Sequence, residues 1–272
     1  MTSAFTTLID SMHALDTPAQ SAAGAARFAV DIPENWAQGT STYGGLTAAL
    51  GLEAVMRTFA ELPPLRSAQI NFIGAAGGRV EVEPALIRQG RSMTIAQGDL
   101  LAEKGLATRS TFAFGHARES QFEEVHIPAP DVALPADCQP YFKGPLRPTF
   151  TQHFESRLAS GGMPLSGSEH SNHFIWVRYK DPVPVSLVSL LALADMPPPA
   201  MMPKFTTFKP VSSLTWMVNM LHEAPQPFDD GWWLLQSRAE HASKGYSSQD
   251  MLVWGANFQP VIAGRQLVAI YL

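Results

Sequence analysis

Apolar and polar residues follow two different periods along this chain, and both patterns occur twice. A mostly apolar stretch opened by a glycine pair, YGGLTAALGLEAVMRTFAELPPL, predicts a buried helix that ends near two prolines. Strand-like runs follow it, and in GRVEVE apolar and polar residues alternate. Further along, LVSLLALADMPPP predicts a second buried helix, which is again followed by runs rich in β-branched and aromatic residues.

The spacing of charged and aromatic positions indicates that the two halves share one plan. Arg79 and Arg91 are 12 positions apart, and so are Trp232 and Lys244 in the second half. Each half therefore reads as one long helix followed by several antiparallel strands. Because one such sheet cannot cover both its helix and its own edges, we expect the halves to pack together as an α+β tandem repeat.

A proline-rich segment separates the two halves. Residues 119–148, ESQFEEVHIPAPDVALPADCQPYFKGPLRP, have no sustained apolar period and predict an extended linker. We therefore expect an N-terminal domain over residues 1–118 and a C-terminal domain over residues 149–272.

Composition and charge narrow the class of protein. Hydrophobic residues make up 46% of the 272 residues, which is enough to bury a sizeable core, and the net charge is −5. An acidic balance offers no basic field for nucleic acid, and no apolar run reaches the roughly 18 residues that span a membrane. The single cysteine, Cys138, allows no internal disulfide and fits a reducing compartment. We therefore expect a cytoplasmic protein that binds neither nucleic acid nor membrane.

One carboxylate stands at the end of the second apolar helix. Asp195 closes LALAD just before Pro197, where an unpaired carboxylate inside a core would be costly. It either terminates the helix or supplies an acid that a site needs. Glu61 also precedes prolines in the first half, although Arg57 lies four positions before it and favours an exposed Glu61.

Several short motifs, taken in order, resemble a known family. YGGLTAAL, NFIG and RQGRS in the first half, with LALAD, SSLTW, HASKGY and VIAGRQLVAIY in the second, are similar to the double hotdog thioesterases of the acyl-CoA thioesterase II type. This resemblance implies a tandem hotdog fold, in which a long central helix is wrapped by an antiparallel sheet in each half. It also implies hydrolysis of acyl-CoA without a bound cofactor, and the exposed faces and edges of such sheets favour a homo-oligomer.

The resemblance also implies a site. An aspartate, a hydroxyl residue and a glutamine hold the attacking water in that family, and these fall on Asp195, Ser213 and Gln266. Burial in apolar surroundings would raise the pKa of Asp195 and make it a better base. Gly44 and Gly45 open the first helix, where unpaired backbone N–H groups could receive the thioester oxygen.

Each of these residues also has a structural interpretation. Ser67 is the counterpart of Ser213 in the first half, so a serine at this place is compatible with a purely structural role. Ser110 is the counterpart of Gln266, so a glutamine is not required by the strand itself. The two glycines are equally typical of a turn.

Other functions and sites remain open or are disfavoured. The family commonly has aspartate-histidine after the hydroxyl residue, whereas this chain has Thr215 and Trp216, which leaves open a non-catalytic binder of acyl or aromatic ligands. A hotdog dehydratase or hydratase is less favoured because Tyr43, not histidine, precedes the glycine pair.

A metal site is not expected either. Glu169, His170 and His173 have a spacing that could reach a metal ion, but a short cluster in a Ser/Gly-rich loop is typical of solvated side chains. No further ligand group accompanies them in the sequence, so we predict no metal and no cofactor.

Overall fold

A computed structural model describes residues 4–16, 26–142 and 147–271 of the chain. The α-helices within these ranges are α1 (Ala4–Ser11), α2 (Gly44–Thr58) and α3 (Leu187–Ala194). None of these helices is long and apolar enough to cross a membrane.

Antiparallel strands make up most of the remaining structure. The strands of the first half are β1 (His13–Leu15), β2 (Arg27–Ile32), β3 (Ala37–Gln38), β4 (Ser41–Thr42), β5 (Leu65–Phe72), β6 (Gly78–Gln89), β7 (Met93–Ala102) and β8 (Gly105–Gly115). Those of the second half are β9 (Gln139–Pro140), β10 (Phe154–Gly161), β11 (Asn172–Tyr179), β12 (Val211–Met220), β13 (Trp233–Ser243), β14 (Tyr246–Gly255) and β15 (Gln259–Ile270).

All strands except β3 and β4 form one continuous sheet. Its order is β1-β2-β6-β7-β8-β5-β12-β15-β14-β13-β11-β10-β9, so the order β6-β7-β8-β5 in the first half is mirrored by β12-β15-β14-β13 in the second. The halves join where β5 pairs with β12, and Gln69 lies opposite Met217 at the centre of this pairing. The predicted tandem hotdog is confirmed, and β7 and β8 correspond to β14 and β15.

Strands also precede the central helix in both halves, which the sequence analysis did not predict. β2 precedes α2 and pairs with β6, whereas β10 and β11 precede α3, with β11 paired to β13. The prediction of a helix followed by strands was therefore incomplete. In each half, strands that precede the central helix in sequence form the outer edge of the sheet.

The two central helices differ in length although both are buried. α2 has 15 residues, but α3 has only eight, which corrects the expectation of a long helix in each half. Ser186 caps the start of α3 through reciprocal hydrogen bonds with Ser189. Prolines at 182 and 184 come before this cap and prolines at 197–199 follow the helix, so no longer helix fits between them.

The predicted linker packs onto the second half. Residues 116–134, all of them described, form neither helix nor strand. Ile127 and Val132 contact a cluster of tryptophans that includes Trp176 and Trp254, and the Trp176 indole donates to Ala133 O at 2.8 Å. This segment therefore covers apolar surface of the second half. Residues 143–146 of the predicted linker lie outside the described part.

Candidate active site

Asp195 is the residue at which α3 ends. Its backbone has left the helical region (φ −87°, ψ 2°), and its N–H donates to Leu193 O. Two residues later, Pro197 begins the segment that leads away from the helix. The side chain is half-buried and lines a cavity. Helix termination and a carboxyl group facing a cavity are therefore combined in one residue.

Gln266 of β15 holds one oxygen of this carboxyl. Its Nε2 donates to Asp195 Oδ1 at 2.9 Å, and the glutamine is only 3% exposed. Burial raises the pKa of Asp195 from its ordinary 3.8 to about 7, while hydrogen bonds from Gln266 and from the backbone of Gly45 act in the opposite direction. Asp195 is thus a carboxyl group that changes charge near neutral pH.

The glycine pair lets the start of α2 lie against the end of α3. A Cβ at Gly45 would lie 2.4 Å from Ala192 O, and one at Gly44 would lie 2.9 Å from Asp195 Oδ2. The preceding residue, Tyr43, is fully buried and its hydroxyl donates to Ala192 O at 2.5 Å. Because any side chain here would collide with α3, both glycines have a packing role.

The structure separates the two predicted oxyanion donors. The Gly45 N–H interacts with the Asp195 carboxyl and lowers its pKa, which makes this group a partner of the base. Gly44, in contrast, lines the cavity. Of the two, Gly44 is therefore better placed to meet a ligand, and its role as an oxyanion donor stays a prediction.

One cavity of about 430 Å³ brings the other predicted residues together. Both halves line it: the first contributes Gly44, Thr47 and Thr108, and the second contributes Asp195, Ser213 and Gln266. On the first-half side the Thr108 hydroxyl donates to the Thr47 hydroxyl at 3.1 Å, so part of the wall is polar. The cavity is therefore shared between the two halves.

Ser213 differs from its counterpart in the first half. The Ser67 hydroxyl donates to Val218 O at 3.0 Å and ties β5 to β12. Ser213 instead lines the same cavity as Asp195 and Gln266. The structural role that Ser67 has is therefore not repeated at Ser213.

A second cavity, of about 380 Å³, lies beside the start of α3. Arg178, Lys180 and Asp230 are among its lining residues, and none of the predicted site residues lines it. Arg178 is already engaged, because it pairs with Glu155 and lies 4.6 Å from the centroid of the Trp232 ring. The residues that the sequence predicts to carry out catalysis line the cavity at Asp195 and not this one.

Sequence reasoning missed a residue behind Gln266. Gln249 of β14 lies directly opposite Gln266, is fully buried, and donates from Nε2 to Gln266 Oε1 at 2.9 Å. Its own Oε1 accepts a hydrogen bond from the Ala200 N–H at 2.8 Å. A polar residue on the core side of an alternating strand was the signal that could have revealed it.

The histidine cluster is not the solvated loop that the sequence analysis expected. His173 belongs to β11, is fully buried, and burial lowers the pKa of its ring to about 4. Glu169 and His170 are exposed, in the loop before this strand. Within the described ranges, no three His, Cys, Asp or Glu side chains come together in a way that could hold a metal ion.

The fold is a double hotdog, and the family models that match both halves assign it to the thioesterase class. Residues 32–115 match the acyl-CoA thioesterase N-terminal domain, and residues 132–270 match the acyl-CoA thioesterase C-terminal domain. The chain belongs to the acyl-CoA thioesterase family and is a thioester hydrolase. No significant sequence match was found among curated proteins.

Solved structures of other proteins share this fold. A conserved hot dog protein of unknown function from Alicyclobacillus acidocaldarius is 24% identical, with a TM-score of 0.86 over 100% of this chain and 99% of that one. An acyl-CoA thioesterase II from Mycobacterium marinum is 15% identical, with a TM-score of 0.73 over 99% of each chain. At such identities the likeness concerns the fold.

Proposed function

We propose that this protein hydrolyses acyl-CoA to a free acid and coenzyme A, using a water molecule held by Asp195, Ser213 and Gln266. The observation that carries the proposal is the half-buried Asp195 carboxyl, which faces the cavity and has a pKa of about 7. A base is most effective when its pKa lies near the working pH. Ionised Asp195 side chains are then available at neutral pH to accept a proton.

The reaction would proceed in two steps around this carboxylate. The water oxygen attacks the thioester carbonyl carbon while its proton passes to Asp195, and the carbonyl oxygen becomes an oxyanion near the N–H of Gly44. The C–S bond then breaks, the carboxylic acid forms, and the coenzyme A thiolate takes the proton back from Asp195. Ser213 and Gln266 orient the water, since a hydroxyl and an amide both donate and accept hydrogen bonds.

The test is coenzyme A release from acyl-CoAs of short, long and phenylacyl type, for the native chain and for Asp195→Asn. We expect turnover of at least one member and a loss of roughly 10²–10⁴-fold in the variant, which is typical of removing a general base. Chromatographic detection of coenzyme A avoids thiol reagents, which would react with the free Cys138.

Glu61→Gln is the matched control. Glu61 is exposed and, like Asp195, precedes prolines, but it does not line the cavity. We expect this variant to keep native turnover and native melting temperature. Turnover that survives Asp195→Asn would refute the assigned base. Saturable acyl-CoA binding without turnover of any member would instead establish a non-catalytic binder.

A further inference from the structure

A chain of side-chain amides leads from the backbone to the Asp195 carboxyl. The Ala200 N–H donates to Gln249 Oε1, Gln249 Nε2 donates to Gln266 Oε1, and Gln266 Nε2 donates to Asp195 Oδ1. These three contacts measure 2.8, 2.9 and 2.9 Å. Both glutamines are almost completely buried, so no bulk water competes for their groups.

The direction of this chain is fixed at its start. A backbone N–H can only donate, so the group of Gln249 that faces Ala200 must be its oxygen. Its NH₂ group then faces Gln266, whose oxygen accepts. The remaining NH₂ group of Gln266 is thereby turned toward Asp195. If Gln249 were absent, the Gln266 amide could rotate by half a turn and present its oxygen to the carboxylate, which would be repulsive.

Gln249 also holds the segment that follows the base. Ala200 is fully buried and lies at the end of Met196–Ala200, the stretch that contains three consecutive prolines after Asp195. The hydrogen bond from Gln249 attaches this stretch to β14. The same side chain therefore constrains both the partner of Asp195 and the backbone behind it.

The first half shows that the fold does not need these amides. Gly98 lies opposite Ser110 in β7 and β8, as Gln249 lies opposite Gln266 in β14 and β15. The equivalent strands thus pair in the same way with a glycine and a serine in the two positions. A buried pair of glutamines is a costly arrangement unless each amide is hydrogen-bonded, and its presence in one half alone points to the site.

We propose that Gln249 is a positioning residue that acts through Gln266: it fixes the Gln266 amide so that the NH₂ group, and not the oxygen, faces Asp195. The inference rests on the proposed function only where turnover is concerned, since the orientation of the amide exists without substrate. Removing this constraint weakens the hydrogen bond that favours the ionised carboxylate.

The variant Gln249→Met tests whether Gln249 fixes the Gln266 amide, because it removes the side-chain amide and keeps a similar side-chain volume. The readout is the pH titration of the Gln266 side-chain NH₂ resonance, recorded by NMR on the substrate-free protein, whose midpoint reports the ionisation of Asp195. We expect this midpoint to move to higher pH in the variant. Tyr43 interacts with the charge of Asp195, and burial, together with this negative charge, raises the pKa of Tyr43 well above its ordinary range. It therefore does not contribute to the titration.

Gln236→Met is the control for the loss of an amide. Gln236 of the neighbouring β13 is partly buried and donates to Asn172 Oδ1 at 2.8 Å, and it contacts neither Gln266 nor Asp195 through any hydrogen bond of the described residues. We expect its midpoint to equal that of the native protein. An unchanged midpoint in Gln249→Met, or an equal shift in both variants, would overturn the proposal.

Turnover separates this inference from the proposed function. In Gln249→Met we expect kcat to fall on the order of 10-fold, because the hydrogen bond from Gln266 to the charged carboxylate is weakened, while KM changes little. A shifted midpoint in a protein without turnover would leave the positioning role intact and refute the proposed hydrolysis of acyl-CoA at Asp195. If the titration midpoint of Gln249→Met equals that of the native protein, and Asp195→Asn still abolishes turnover, only the positioning role of Gln249 is refuted.

Gln249→Glu keeps the test available if the methionine variant does not fold. A protonated carboxyl at this position can accept from Ala200 and donate to Gln266, as the amide does. When it ionises, it can only accept, and Gln266 must turn its oxygen toward Asp195. We expect turnover in this variant to fall as the pH rises, opposite to the native profile. A profile that rises like that of the native protein would contradict the proposal.

Discussion

The two halves of the molecule differ most between the central helix and the two strands beneath it. The second half has the candidate site at this place, whereas in the first half the backbone of the helix contacts the backbone of the strand directly. In the second half, Gln249 and Gln266 fill the space between the sheet and Asp195. In the first half, Gly98 and Ser110 take the equivalent strand positions, and the backbone of α2 at Gly51 lies directly on them. A Cβ at Gly98 would lie 2.7 Å from Gly51 O.

This difference shows how a repeated fold obtains a single active site. Small residues let α2 continue straight over the sheet, whereas α3 ends at Asp195 and leaves room for polar side chains. The site also needs the first half, because Gly44 and Gly45 receive the end of α3. The second half therefore provides the acid and the amides, and the first half provides the glycines against which the end of α3 packs.

Among variants that test the difference between the halves, we expect the largest change in stability when the charge of Asp195 is removed. Its pKa is about 7 in the folded state and 3.8 ordinarily, so the folded state binds more protons between these values and stability falls as the pH rises through this window. Asp195→Asn should therefore be more stable than the native chain above pH 7. The gain is at most about 4 kcal/mol, and less because the carboxyl reaches solvent through the cavity.

Urea denaturation of both proteins at pH 5, 6, 7 and 8 measures this effect. We expect the difference in the free energy of unfolding to grow with pH and to level off above pH 7. The native rate constant kcat/KM should rise through the same window, because only the ionised carboxylate accepts a proton. A stability difference that does not depend on pH would contradict a raised pKa at Asp195.

The contact between backbones in the first half should be the next most sensitive feature. Gly98→Ala places a methyl group against the α2 backbone, and overpacking of this kind costs about 1–3 kcal/mol. Gly77→Ala is the control, since nothing lies within 4 Å of a Cβ at that glycine. The measurement is the free energy of unfolding of both variants. Equal values for Gly98→Ala and Gly77→Ala would show that α2 is free to move away from the sheet.

The smallest effect is expected at the first-half counterpart of Gln266. The Ser110 hydroxyl is buried and has no hydrogen-bond partner among the described residues, so Ser110→Ala should change the free energy of unfolding by less than about 0.5 kcal/mol or stabilise the protein. Gln266→Met should cost roughly 1–3 kcal/mol, because it leaves the Gln249 NH₂ group unpaired. Similar costs for both variants would remove the proposed distinction between the halves.

Much of the fold followed from local patterns in the sequence. The glycine pair, the apolar runs and the alternating stretches predicted α2, α3 and the strands that follow them, and the matching spacings predicted the repeat. The prolines also marked where α3 ends. The same prolines limit α3 to eight residues, so the prediction of a long second helix was wrong. Strands β10 and β11 were missed because their apolar and polar residues do not alternate simply and because a Ser/Gly-rich segment lies between them.

The sequence by itself determined which chemical groups are available: an acid at the end of an apolar helix, a serine, a glutamine and two glycines. These are visible because a carboxylate in an apolar run and a glycine pair depart from the local pattern. Only the tertiary structure decided that Gln249 lies behind Gln266, that the Gly45 N–H interacts with Asp195 while Gly44 lines the cavity, and that His173 is buried. The reason is physical: periodicity fixes the face on which a side chain lies, but distances and pKa values depend on neighbours brought together by the pairing of strands far apart in sequence.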